Sequence, residues 1–238
     1  MKPRFVGRLS LADAVTVSNA ALGFLAVATA TANPELAARL ILLAAVADGL
    51  DGVLARHVGS SAAGPYLDSL ADMASFSVAP AMLVVAVVRE AWGFDALRVA
   101  VALAGGALFV AMAIVRLGLY TAYDTDDDVT EGVPTTLASV IISAGVLAGF
   151  TDPFVLVPLA FVLAGLMVST ITYPDLLARD ALIMGIVHSL AVLVPDFRGR
   201  AFPYALLTLA LAYLVLSPQF YWRTTDGKTA PTTEGKRS

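Results

Sequence analysis

Four aspartates stand in an otherwise apolar part of this chain: Asp48, Asp51, Asp68 and Asp72. The first two are three positions apart and the last two four apart, so on helices each pair projects from one face. Ionisable side chains inside apolar segments of membrane length are expensive to bury and point to function. A short connection makes the two carrying helices antiparallel neighbours, and their acidic faces can meet. Carboxylates that close repel strongly in a low dielectric, and Arg56 alone does not neutralise them. Hard divalent cations do so economically. The chain has no cysteine and two histidines, His57 and His188, which favours Mg²⁺ or Mn²⁺ over softer metals.

The residues between the acids fit a phosphate ligand. Gly52 follows Asp48 by one turn and Ala55 follows Asp51 likewise, leaving room for a flat or bulky group against the helix. Arg56 offers a planar fork for phosphate oxygens. Gly64, ahead of the third apolar segment, permits close approach where Asp68 faces Asp48. Metal ions, a guanidinium and space together describe a pyrophosphate site suited to phosphoryl transfer. An ion-coupled transporter would use the same carboxylates as a cation site, but it would carry inverted repeats or paired broken helices. The C-terminal half holds no second acidic pair of this kind.

The elements that must position these groups are membrane helices. Of 238 residues, 58% are apolar and 14% charged, and mean hydropathy is +0.81. Soluble domains are about 45–50% apolar and about 25% charged, so the excess predicts an all-α integral membrane protein. The net charge of −4 excludes a nucleic-acid-binding surface. Lysine occurs only at Lys2, Lys228 and Lys236; with abundant aspartate this suits a salt-rich cytoplasm.

Apolar runs of about 20 residues predict a polytopic bundle of about eight spans, near 11–32, 36–57, 65–88, 96–119, 134–150, 154–172, 179–195 and 202–219. The first run is long for a signal peptide and is expected to be retained. Residues 1–220 form one transmembrane domain on this reading, with a polar cytoplasmic tail over 221–238. With both termini inside, Lys2, Arg4, Arg8, Arg56, Arg116, Arg179, Arg223, Lys228, Lys236 and Arg237 fall on the cytoplasmic side, and Arg39, Arg89, Arg98, Arg198 and Arg200 outside. That asymmetry supports an N-in, C-in, multi-pass protein of the cell membrane, with the acids near the cytoplasmic surface. Trp92, Phe94, Tyr173, Phe220, Tyr221 and Trp222 read as interfacial aromatics, and Asp124–Asp128 as a solvated acidic loop. Small residues such as Gly105-Gly106 suit close helix packing at the interface of a homodimer.

The stretch Asp48-x-x-Asp51-Gly52-x-x-Ala55-Arg56, followed after seven residues by Gly64-x-x-x-Asp68-x-x-x-Asp72, resembles the signature of the CDP-alcohol phosphatidyltransferases at all eight positions. The resemblance implies that a CDP-linked lipid donates its phosphatidyl group to an alcohol and releases CMP. It implies further that Asp48, Asp51 and Asp68 hold two divalent ions on the donor pyrophosphate. Asp72 would ligate a metal and take the proton of the acceptor hydroxyl, and Gly52, Ala55, Arg56 and Gly64 would line the CDP-lipid beside Asp48.

Further segments resemble the phosphatidylserine synthase subgroup and imply L-serine as acceptor. They are Asp13-x-Val15-Thr16-x-x-Asn19-x-x-x-Gly23, the run Asp68 to Ala81, Arg116-Leu117, Gly132-Val133-Pro134-Thr135 and Met167 to Pro174. Departures at Ser77, Gly118-Leu119-Tyr120 and Thr136 fit a divergent, archaeal branch using CDP-archaeol in place of CDP-diacylglycerol. Serine brings a carboxylate, for which Arg116 is the candidate partner, and an ammonium, for which Thr135, Thr136, Ser169 and Thr172 are candidates. An acceptor carrying phosphate, such as inositol phosphate or glycerol phosphate, would require more cationic groups near the site than Arg56 and Arg116.

Overall fold

A computed structural model describes residues 7–93, 95–124, 129–174 and 178–220. Lys2, Arg4, Phe94, most of the acidic loop after Asp124, the side chain of Arg179, and the tail with Tyr221 and Trp222 lie outside the described residues.

Local chemistry sets the helix ends. Helix α1, Leu11–Ala30, starts at a capping box in which Ser10 Oγ accepts from the Asp13 amide and the Asp13 carboxylate accepts from the Ser10 amide. Helix α2, Pro34–Val58, opens with Asn33 capping the Leu36 amide and Pro34 in the first turn. It stops at Gly59, whose φ of +83° favours glycine. Helices α3, Gly64–Asp72, and α4, Ala79–Trp92, form one rod through a π-helical segment, Met73–Val78. Pro80 accounts for the wide turn: it has no amide for the Phe76 carbonyl and its ring clashes there. The Ala79 amide accordingly reaches back five residues to the Ala74 carbonyl.

Asp95 caps α5, Ala96–Leu119, by accepting from the Arg98 amide, and a π-helical turn, Tyr120–Asp124, follows. Helices α6, Thr135–Ala148, α7, Pro153–Met167, α8, Ala178–Leu193, and α9, Ala201–Phe220, complete the bundle. Where sequence predicts a sixth span continuing to residue 172, the helix ends at Met167. Beyond it Ser169 Oγ donates to the Leu166 carbonyl, and the β-branched run ending in Thr172 becomes a strand. That strand, β2 (Thr172–Pro174), pairs antiparallel with β1 (Val129–Glu131). The fold is therefore helical apart from one short two-stranded strap.

Among the described residues, four rods are long and apolar enough to cross a bilayer: Leu11–Ala30, Gly64–Trp92, Ala96–Tyr123 and Ala201–Phe220. The chain is thus a helical membrane protein. Helix α2 has the length, but it carries the Asp48–Arg56 charges. Helix α6 has 14 residues, about 21 Å at ~1.5 Å per residue, short of a ~30 Å hydrocarbon layer. Its side chains from Leu137 to Ala148 are all buried, as are most of α4, so these two form the core. Large apolar side chains such as Phe24, Leu97, Leu103, Phe154 and Val215 point outward, as lipid contact requires.

Two packing expectations change. Gly105 lies against the Phe161 ring and Gly106 against Ala81 and Val85, so this pair serves packing of α5 within the chain; association of two copies would have to use another face. Tyr173 is buried rather than interfacial, and its hydroxyl donates to the Leu214 carbonyl, tying β2 to α9.

Helix α1 lies directly on the π segment at Gly23. A Cβ at Gly23 would fall 2.7 Å from Ser75 Oγ and 2.8 Å from the Ala74 carbonyl carbon. Gly23→Val is expected to destabilise the protein by about 1–3 kcal/mol through overpacking. Gly118→Ala, whose Cβ would meet nothing within 4 Å, should stabilise by about 0.5–1 kcal/mol. Thermal unfolding in detergent micelles reads both.

Candidate active site

The turn between α2 and α3 brings the acids together. The Gly64 amide donates to the Ser61 carbonyl, and Ser61 Oγ accepts from the Ala63 amide. The backbones of α2 and α3 nonetheless hardly touch, unlike the antiparallel neighbours expected from the short connection; both helices pack on α1, and their acids meet through the side chains. Asp48, Asp68 and Asp72 each offer a carboxylate oxygen within 4.8 Å of the other two. Each pair at that separation repels by about 3–4 kcal/mol at an effective dielectric of ~20. Three hard anionic oxygens so placed, with no nitrogen or sulfur donor among them, fit a hard divalent cation, so the cluster can hold a metal.

Asp51 does not join that trio. It is buried, and its Oδ2 accepts from Thr16 Oγ1 at 2.6 Å. Asp72 is also buried and accepts from Asn19 Nδ2 at 3.5 Å. Both donors come from α1, whose buried residues include Asp13, Thr16, Asn19 and Gly23, spaced three, three and four apart. None of the four is among the site residues expected from sequence. The signal was available: polar residues at one helical face of an apolar segment must find polar partners when buried.

The acids form one wall of a cavity of ≈ 230 Å³. Asp48, Asp68, Ser69 and Asp72 stand on one side; Arg116, Tyr120, Thr130, Thr135 and Thr136 line the remainder. Arg116 is buried, its Nη2 donating to Thr130 Oγ1 at 2.9 Å, with its guanidinium carbon 5.0 Å from the Tyr120 ring centre. Ser69 Oγ and Thr121 Oγ1 lie 2.6 Å apart, and Thr121 donates to the Leu117 carbonyl, pinning α3 to α5. The strap therefore contributes directly to the site, because Thr130 belongs to β1. Gly132 permits its approach: at φ +79° its missing side chain leaves space that the Met167 carbonyl fills.

Of the expected site residues, Asp48, Asp68, Asp72, Arg116 and Thr135 meet at this cavity, and Thr136 joins them. Gly52, Ala55 and Arg56 do not line it; they lie one to two turns further along α2, where Arg56 is exposed and folds back so that Nη1 sits 3.8 Å from a Cβ placed on Gly52. Gly64 does permit a close approach, but to Asp13 Oδ1 and Ser60 rather than to Asp48. Ser169 caps the end of α7, and Thr172 pairs with Glu131, so neither is at the cavity. Tyr120 and Thr130 are not among the expected site residues: the first is an aromatic one turn after Arg116, the second lies two residues before Gly132.

Known proteins share this arrangement of sequence. The family model of the CDP-alcohol phosphatidyltransferases matches residues 9–171. The chain is 31% identical over 170 residues to the archaetidylserine synthase of Methanothermobacter thermautotrophicus, covering 70% of each chain. It is 30% identical over 172 residues to the CDP-diacylglycerol–serine O-phosphatidyltransferase of Helicobacter pylori, covering 67% of this chain and 70% of the relative. The enzyme of the same name from Mycobacterium tuberculosis is 33% identical over 118 residues, 49% of this chain and 39% of the relative.

The crowding of the trio has a measurable sign. Without divalent metal, Asp68→Asn should raise the unfolding temperature, because it removes two repulsions. With excess Mn²⁺ the order should reverse, since the wild type gains about 2.7 kcal/mol at a hundredfold excess over its dissociation constant and the variant gains less. Thermal unfolding with and without Mn²⁺ checks both halves.

Proposed function

The chain belongs to the CDP-alcohol phosphatidyltransferase family, and from that premise we propose how its site moves a phosphatidyl group from a CDP-linked lipid to L-serine, with release of CMP. The observation that carries the reading is the acid trio facing Arg116 across one small cavity. At ≈ 230 Å³ this cavity is smaller than the roughly 300–1,000 Å³ that encloses a drug-sized ligand. It suits a small acceptor and the reacting phosphates, while nucleoside and lipid chains extend beyond it. The face of α2 bearing Gly52, Ala55 and Arg56, with Gly64 nearby, takes the cytidine diphosphate, and the acyl or isoprenoid chains enter sideways from the bilayer.

The acceptor binds with its carboxylate on Arg116, whose guanidinium Thr130 holds in place, and with Thr135 offering a hydroxyl beside it. Its own hydroxyl then points to Asp72. That carboxylate takes the proton as the serine oxygen bonds to the lipid-side phosphorus. The bond from that phosphorus to the bridging oxygen breaks, and CMP leaves with the oxygen and the electron pair. Asp48, Asp51, Asp68 and Asp72 would hold two divalent ions, Mg²⁺ or Mn²⁺, which when bound neutralise the pyrophosphate and the charge gathering on CMP.

Acceptors carrying a phosphate are disfavoured because Arg116 is the one cationic side chain lining the cavity among the described residues. The archaeal relative supports CDP-archaeol as donor. The arginine and lysine asymmetry supports both termini and the active site on the cytoplasmic side.

A CMP-release assay crossing CDP-archaeol and CDP-diacylglycerol with serine, inositol phosphate and glycerol phosphate tests the reading. Serine with a divalent ion should release CMP and the phosphorylated acceptors should not; no release with any acceptor overturns it. Asp72→Asn should lower kcat by about 10²-fold or more while CDP-lipid binding survives in part, whereas Asp48→Ala should weaken metal-dependent CDP-lipid binding. Arg116→Ala should raise the serine KM by about tenfold or more with little change in the KM for CDP-lipid.

A further inference from the structure

We propose that Thr16 and Asn19 of α1 are positioning residues that fix which carboxylate oxygens of Asp51 and Asp72 are turned toward the metal cradle. The inference rests on the reading of those acids as metal ligands. Thr16 has one hydroxyl proton and two acceptors in range, the Ala12 carbonyl at 3.2 Å and Asp51 Oδ2 at 2.6 Å. The shorter contact is to the anion, where a hydrogen bond is stronger, so the proton serves Asp51. One Asp51 oxygen is thereby committed to α1 and the other left for a ligand. That commitment also accounts for why Asp51, on the same helix face as Asp48, stands outside the close trio.

Asn19 is fully buried, and its Nδ2 donates to Asp72 Oδ1. Its Oδ1 has no hydrogen-bond partner among the described residues. An apolar residue would occupy this place without such an orphaned oxygen, so the position is explained by the amide donor that it aims at Asp72. The placement is rigid. Ser75 Oγ donates to the Asn19 carbonyl at 2.8 Å, one turn past Asp72, and Gly23 lets α1 lie directly on that turn. Outer partners that orient ligating carboxylates act in this way: they set the ligand's direction and share its charge without touching the ion.

The test uses the full chain in lipid nanodiscs and reads Mn²⁺ binding by electron paramagnetic resonance, independently of turnover. Thr16→Val keeps the shape and loses the hydroxyl; Thr16→Ser keeps the hydroxyl. The valine variant should bind Mn²⁺ about 10–100-fold more weakly, and the serine variant should stay within about threefold of wild type. Asn19→Leu should lower kcat by about 10–100-fold while the KM values for serine and CDP-lipid move by less than about threefold. Ser143→Ala, which removes another buried hydroxyl away from the site, should change neither.

Wild-type Mn²⁺ affinity in Thr16→Val with only a lowered unfolding temperature overturns the role of Thr16, as does a serine variant no better than the valine one. Wild-type kcat in Asn19→Leu overturns the role of Asn19. Should Thr16→Val fail to fold, Thr16→Ala makes the same comparison. Mn²⁺ binding by a wild type that releases no CMP with serine would overturn the functional reading and leave this inference standing.

Discussion

Three carboxylates held within 4.8 Å of one another set the terms for the rest of the structure. Left to themselves they would drive the ends of α2 and α3 apart, and a hairpin of two helices has nothing to resist that. The third element, α1, supplies the resistance. It spans both acidic helices, gives Asp51 a hydroxyl and Asp72 an amide, and is locked onto the π segment by Gly23 and Ser75. The charge that drives these carboxylates apart is also the charge that would attract a divalent cation.

The π segment is part of the same arrangement. Pro80 disrupts the hydrogen-bond ladder of a long buried rod, and the extra residue per turn over Met73–Val78 re-aims α3 relative to α4. The rod thus satisfies two demands. Its α4 half packs into the core against α5 and α6, while its α3 half packs on α1 and brings Asp68 and Asp72 to Asp48. Helix α6, too short for a bilayer, is covered by other helices from Leu137 to Ala148.

Opposite the acids, the site is closed from far along the chain. Loops after α5 and α7 meet as β1 and β2, and the strap so formed brings Thr130 to Arg116. Tyr173 and Tyr213 fasten the strap to α9. A wall made this way can vary without disturbing the acids opposite, because it is built from different elements.

Sequence alone determined the bundle class, the helix-forming stretches and the convergence of Asp48, Asp68 and Asp72, because hydropathy and helical spacing are local properties. The same local rules gave Asp51 a place equal to Asp48 and Gly64 a role toward Asp48. They ended a helix at 172 and gave Gly105-Gly106 close helix packing without naming its partner. Only the tertiary structure decided those points, since each depends on a partner distant in sequence: Thr16 for Asp51, Asp13 for Gly64, β1 for β2, Phe161 for Gly105. A side chain's type fixes what it needs, and the packing of helices far apart along the chain decides who provides it.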